Sequence, residues 1–126
     1  MAVPLTSLRI SGFRSVADLV LPLTSEVTLL VGANGSGKSN IIAAFEVLGR
    51  IVDGSIQEDL LRRGGLAAQL HRSARGDDAH HITLETWGET VGSYSNGYRV
   101  RLLPGPDDSA LLQETTYTHN VDKYPE

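Results

Sequence analysis

The 126-residue chain contains no cysteine, only two lysines, and no apolar run approaching 18 residues. Each shortage removes a class of function. Without cysteine there is no disulfide framework, no thiolate zinc site and no thiol nucleophile. Without a long apolar run no membrane-spanning helix is expected. Residues 1–23 also lack the basic start and unbroken apolar stretch of a secretory signal. The expected location is therefore cytoplasmic, with no membrane partner. Strong positive charge is missing too: the net charge is −4. Residues 1–63 carry six basic and six acidic groups, and residues 64–126 carry five basic and nine acidic groups. Neither half has the basic balance of a nucleic-acid-binding surface. The length suits one domain.

What is present is periodicity that changes along the chain. Leu8, Ile10 and Gly12 alternate with Arg9 and Ser11, and Leu19, Leu21 and Leu23 alternate again, as in half-buried strands. Residues 27–31 form a short apolar, β-branched run, the pattern of a strand buried on both faces. After Lys38 the period becomes helical, with Ile41, Ile42, Phe45, Leu48 and Val52 as the expected apolar face and Gly49 weakening the last turns. Asp53-Gly54 reads as a turn. Residues 56–70 read as a short helix broken at Gly64-Gly65, and residues 72–78 as a loop. Residues 82–84 and 98–102 alternate as strands. Asn96-Gly97, just before the second of them, is a hairpin signal. Pro104-Gly105-Pro106-Asp107-Asp108 predicts another turn, with a strand over 111–118. The tail from His119 shows no pattern.

Between the run 27–31 and the helix stands Gly32-Ala33-Asn34-Gly35-Ser36-Gly37-Lys38-Ser39. It satisfies G-x-x-x-x-G-K-[ST] at every fixed position. The glycines allow backbone angles that turn successive N–H groups inward, as a cradle for phosphate oxygens. The helix that opens there adds its unsatisfied N–H groups and its positive dipole end. In such a loop Lys38 is the catalytic cation on the β- and γ-phosphates, and the Ser39 hydroxyl is a Mg²⁺ ligand. A buried strand before the motif and a helix after it are the context the motif requires. A dinucleotide fingerprint does not fit, because Asn40 stands where a third glycine would be.

About thirty residues precede this loop, more than the single first strand usual in a small-molecule kinase. The stretch Leu8-Arg9-Ile10-Ser11-Gly12-Phe13-Arg14-Ser15, followed by the phosphate loop, Asn40-Ile41-Ile42 and Ala44-Phe45, resembles the N-terminal lobe of an ABC-type ATPase. The branch it resembles is the RecF and structural-maintenance-of-chromosomes (SMC) group, with the related predicted AAA-type and OLD-family ATPases. The resemblance is sharp over residues 8–49 and fades after about residue 118. It implies that Asn34 sits near the γ-phosphate, that Asn40 helps position the α-phosphate, and that Arg14 lies beside the nucleotide phosphates. Read from the residues alone, Arg14 is equally a solvated strand-end arginine. Arg62 or Arg63 is similar to an arginine-bearing loop near nucleotide and DNA in the SMC branch, though an exposed helix end explains both more simply.

The resemblance also implies ATP and Mg²⁺ as cofactors, and a homodimer of two heads sandwiching ATP in the parent protein. It further implies a DNA or nuclease partner, and a second lobe bearing an Asp-Glu strand and a Ser-Gly-Gly signature. Arg63-Gly64-Gly65-Leu66 and Ile82-Thr83-Leu84-Glu85 imitate those motifs but lack the serine and the aspartate. His71, His80, His81 and His119 show no metal-ligand spacing. Trp87, Tyr94 and Tyr98 read as sheet packing rather than a base-stacking platform, since no lysines are interleaved with them.

The expected fold is thus α/β: an N-terminal half-domain of a phosphate-loop NTPase, with strand, loop and helix in residues 1–54. A helix and loop would follow in 55–78, an antiparallel β segment in 79–118 and a tail in 119–126. The expected function is ATP–Mg²⁺ binding within a RecF/SMC-like ATPase whose turnover serves DNA repair, chromosome maintenance or defence. A non-hydrolysing nucleotide module complete at this length, or a phosphate-loop kinase or GTPase, is the alternative.

Overall fold

Alternating Leu8 and Ile10 make β1 (Leu5–Phe13), which reverses at Arg14-Ser15 into the antiparallel strand β2 (Val16–Pro22). The computed structural model describes residues 5–23 and 38–123, with the backbone alone for Lys38. The strand expected over 27–31 and the loop Gly32 to Gly37 lie outside the described residues. The chain then forms α1 (Lys38–Asp53), α2 (Ile56–Arg62), and three further strands, β3 (Ile82–Gly88), β4 (Tyr94–Pro104) and β5 (Ala110–Asn120).

The five strands join in a single antiparallel sheet of order β2-β1-β3-β4-β5. The antiparallel segment expected over residues 79–118 thus shares its sheet with β1 and β2. β1 pairs with β3 in register Ile10 to Leu84, so the first and last parts of the chain share one layer. One face of that layer carries Leu8, Ile10, Ile82, Leu84, Val100 and Leu102, all buried, and joins the helices in one apolar core. On the opposite face Arg9 grips Asp18 through Nε and Nη2 at 3.0 and 2.9 Å. Both side chains are half exposed, so that pair orders the surface more than it stabilises the fold.

Helix α1 turns a different side inward from the one its large residues suggest. Ala43, Ala44 and Val47 are buried, and Ile41, Leu48 and Ile51 pack against the core, whereas Ile42, Phe45 and Val52 are exposed. The two alanines explain the rotation: small side chains let the helix backbone approach its neighbours closely, which a period count weighted by bulk does not register. Helix α2 ends in two hydrogen bonds, Gly65 N to Leu60 O and Gly64 N to Leu61 O, the paired 6→1 and 5→2 bonds of a Schellman cap. The double glycine therefore terminates a helix. Gln57 fastens α2 to the start of β5 by bonding both the carbonyl and the amide of Ala110.

Asn96-Gly97 is not the hairpin turn its sequence suggests. Both residues lie inside β4, and residues 89–93 make the reversal. The Trp87 ring of β3 covers Gly97 so closely that a Cβ there would stand 2.9 Å from the indole carbons. Glycine at this position serves packing, not turning. β5 runs through His119 and Asn120, which a patternless tail did not anticipate. The turn at Pro104 to Asp108 is present, with Asp107 at φ 54° and Asp108 at φ 62°.

Gly12 and Gly49 should respond to alanine with opposite signs. Gly12 has φ 73°, and a Cβ would overlap the carbonyl oxygen of His81. Gly12→Ala should cost about 2–3 kcal/mol, combining left-handed strain with overlap. Gly49 is helical with nothing within 4 Å of an added Cβ. Gly49→Ala should stabilise by about 0.5–1 kcal/mol. Urea denaturation midpoints of both variants check the pair; a stabilised Gly12→Ala would contradict the packing described.

Candidate functional site

The described part of the site forms where the β1–β2 turn meets the start of α1. The first turn of α1 opens at Lys38, contains no acidic residue, and presents Ser39 to solvent. Asn40 donates from Nδ2 to the Ser15 hydroxyl at 2.5 Å, which ties the hairpin tip to that first turn. The orphan N–H groups and positive dipole end of a 16-residue helix thus lie next to Arg14-Ser15.

Arg14 is held unusually firmly for a turn residue. Its φ is 51°, a left-handed conformation that costs a non-glycine residue about 1 kcal/mol or more. Three hydrogen bonds compensate. Its N–H donates to the Gln69 carbonyl at 2.8 Å, and its own carbonyl accepts from His71 Nδ1 at 2.7 Å. That second bond places the ring proton on Nδ1, since a carbonyl can only accept. The third joins side chains: Arg14 Nε donates to Gln69 Oε1 at 2.8 Å. Next to them, Phe13 bridges Leu70, and the His71 N–H donates to the Gly12 carbonyl at 2.8 Å. The Arg14 guanidinium also lies over the Phe13 ring, 5.0 Å from its centroid.

Burial, and then the like charge of Arg63, lower the Arg14 guanidinium from its ordinary pKa, against smaller favourable fields from Glu46 and Asp59. A cation in that position gains from a nearby anion. Arg63 resists its own partial burial because Asp59 and Glu46 raise it. Its Nε lies 3.0 Å from Asp59 Oδ2 and its Nη2 3.1 Å from Glu46 Oε2, so it joins α1 to the end of α2. Arg62 is exposed and makes, among the described residues, a loose contact of 3.8 Å to Glu58.

Of the residues the sequence singles out, the structure brings together Arg14, Asn40 and the backbone of Lys38 and Ser39. Gly32, Ala33, Asn34, Gly35, Ser36, Gly37 and the Lys38 side chain lie outside the described residues. Gln69 and His71 belong to the same cluster but follow no motif. Their one sequence signal is a polar residue set in the apolar stretch Leu66-Ala67-Ala68-Gln69-Leu70. Trp87 and Tyr98 sit on opposite faces of the sheet, because Trp87 pairs with Gly97 and Tyr98 with Thr86. They form no joint platform; Trp87 stacks on Tyr117 instead, with centroids 6.0 Å apart. Glu85 stands between Arg9 and Arg99 in the register of the sheet. His80 and His81 precede β3 rather than lying within a strand.

The donor set is one that phosphate and Mg²⁺ would fit: a helix start free of acids, an exposed serine hydroxyl, and a pre-placed arginine whose charge the protein itself disfavours. Residues 4–61 match the family described as AAA ATPase domain. The chain is 35% identical over 111 residues to the DNA replication and repair protein RecF of Frankia alni, covering 86% of this chain and 28% of that protein. It is 37% identical over 124 residues to the RecF of Paenarthrobacter aurescens, covering 86% of this chain and 31% of that protein. The RecF of an Arthrobacter species is 32% identical over 124 residues, again with 86% and 31% covered. The chain therefore spans less than a third of the length of these relatives. The resemblance carried by residues 8–49 is borne out: most of this chain is similar to RecF proteins, and its N-terminal part matches the ATPase domain family.

Proposed function

We propose that this chain is the ATP–Mg²⁺-binding N-terminal lobe of a RecF-like ATPase. The observation that carries the proposal is the complete motif Gly32 to Ser39 running directly into α1, with Arg14-Ser15 tied to that helix start through Asn40. In this reading the backbone of Gly32, Ala33, Asn34, Gly35, Ser36 and Gly37 cradles the phosphates, and Lys38 reaches the β- and γ-phosphates. Ser39 ligates the metal, and Arg14 adds positive charge beside them. Ser39 would hold Mg²⁺, whose charge would supply electrostatic stabilisation for phosphoryl transfer. Residues 1–54 would make the phosphate-loop core, 55–78 its helix and loop, and the strands from residue 79 onward, with β5 reaching Asn120, would complete its sheet. In a parent protein two such heads would close on ATP and open on hydrolysis. That cycle would drive DNA-related work, in keeping with relatives named DNA replication and repair proteins, and its expected place is the cytoplasm.

Lys38→Ala should weaken ATP binding more than tenfold, because a charge-assisted phosphate contact contributes about 1.5–3 kcal/mol. Titration with fluorescent ATP checks this, and equal affinities would remove the assignment of the loop. Ser39→Ala should abolish most of the gain in ATP affinity that Mg²⁺ gives, while Ser39→Thr keeps it. If EDTA leaves the wild-type affinity unchanged, the metal role is wrong.

Hydrolysis by the 126-residue chain itself should be essentially nil. Phosphoryl transfer needs a positioned water and stabilised charge as well as binding. Glu85, in the middle of the sheet between two arginine-bearing strands, is not placed to supply the first. Phosphate release, measured beside a Lys38→Ala control, decides the matter. Sustained turnover lost in the control would return a kinase-like or self-sufficient enzyme to consideration.

A further inference from the structure

Gln69 is 5% exposed, and both ends of its side-chain amide are engaged. Oε1 accepts from Arg14 Nε at 2.8 Å, and Nε2 donates to the Arg63 carbonyl at the end of α2 at 3.0 Å. Its backbone adds a third tie, since its carbonyl accepts from the Arg14 N–H. The acids of the neighbourhood are placed elsewhere: Glu46 and Asp59 both pair with Arg63. Among the described residues, the hydrogen-bond partner of the Arg14 side chain is thus a neutral amide.

That division of partners has a chemical meaning. A carboxylate at position 69 would fix the guanidinium equally well but would neutralise it and compete with any incoming anion. An amide fixes its plane and leaves its charge intact. The bond at Nε takes one of five N–H donors, and the two-nitrogen Nη end of the fork lies outside that contact. We propose that Gln69 is a positioning residue for nucleotide phosphate, holding Arg14 by an uncharged hydrogen bond so that its charge serves the phosphates at the start of α1. This rests on the nucleotide-binding reading above.

The simpler role for Gln69, a structural tie between residues 67–69 and the end of α2, makes different demands. A structural tie would affect ATP binding whether or not Arg14 is present. A positioning residue acts only through Arg14. The test measures the affinity of the full 126-residue chain for fluorescent ATP with Mg²⁺. It compares wild type, Lys38→Ala, Arg14→Ala, Gln69→Ala, Gln69→Glu and the doubles that join each Gln69 change to Arg14→Ala. Folded fractions are matched by circular dichroism.

Gln69→Ala should bind about three- to tenfold more weakly, and Gln69→Glu at least as weakly, because its carboxylate captures Arg14. In the Arg14→Ala background neither change should exceed about twofold. Equal losses in both backgrounds, or a Gln69→Glu variant that binds as well as wild type, would overturn the proposal. If Gln69→Ala fails to fold, the volume-matched Gln69→Glu alone is read by the same criteria. Lys38→Ala separates the two levels. If it binds like wild type, the nucleotide reading fails and takes the positioning role with it; if it loses binding while Gln69 changes do not, only the positioning role is lost.

Discussion

The architecture depends on the double pairing of β1. Its partner on one side, β2, is its neighbour in sequence; its partner on the other, β3, lies beyond both helices. The second pairing turns an isolated hairpin, which would be marginal in water, into the middle of a five-stranded layer. It also sets where the hairpin tip must go. With Ile10 opposite Leu84, the end of β1 is carried to the segment 69–71 that precedes β3, and the backbone bonds from Gly12 and Arg14 follow. A one-residue slip would turn Leu8 and Ile10 to the outer face and Arg9 into the core, so the register is strongly fixed.

Charge is sorted within the cluster that results. Two arginines from distant parts of the chain come close enough for one to depress the other, yet both carboxylates pair with Arg63. Arg63 acts as a brace between α1 and α2. Arg14 sits on a strained backbone, against an aromatic ring, with an amide as its partner. A left-handed turn residue whose guanidinium, among the described residues, bonds a neutral amide fits the binding role proposed for it.

Much of this was legible in the sequence, and what was not has identifiable causes. Period-2 alternation located β1, β2 and β3, and the change of period at Lys38 located α1. The phosphate motif could be read because each of its fixed positions answers a separate chemical demand. The inward face of α1 could not, because Ala43 and Ala44 pack by being small while Ile42 and Phe45 attract attention by being large. Asn96-Gly97 misled because a glycine required beneath an indole is spelled like one required in a turn. Gln69 showed in the sequence only as a polar residue in an apolar stretch, because its contact with Arg14, 55 residues away, is not encoded in local pattern. Arg63 was readable as a helix end, which it is, and through the resemblance as a loop arginine, but not as the brace to Glu46.

The position of β1 between β2 and β3 also governs the order in which this chain can fold. During synthesis the hairpin and both helices emerge before β3, so the buried face of β1 and one hydrogen-bonding edge wait for a strand still to be made. Closing that long loop costs entropy before any contact rewards it, and until it closes the hairpin edge stays open to pairing with other strands. Helix formation, fast by comparison, cannot secure the core alone, because Ala44 and Val47 are buried only when the full cluster is assembled. The pairing that completes the sheet is therefore non-local, and the arginine at the hairpin tip acquires its setting only once that pairing and segment 69–71 are in place.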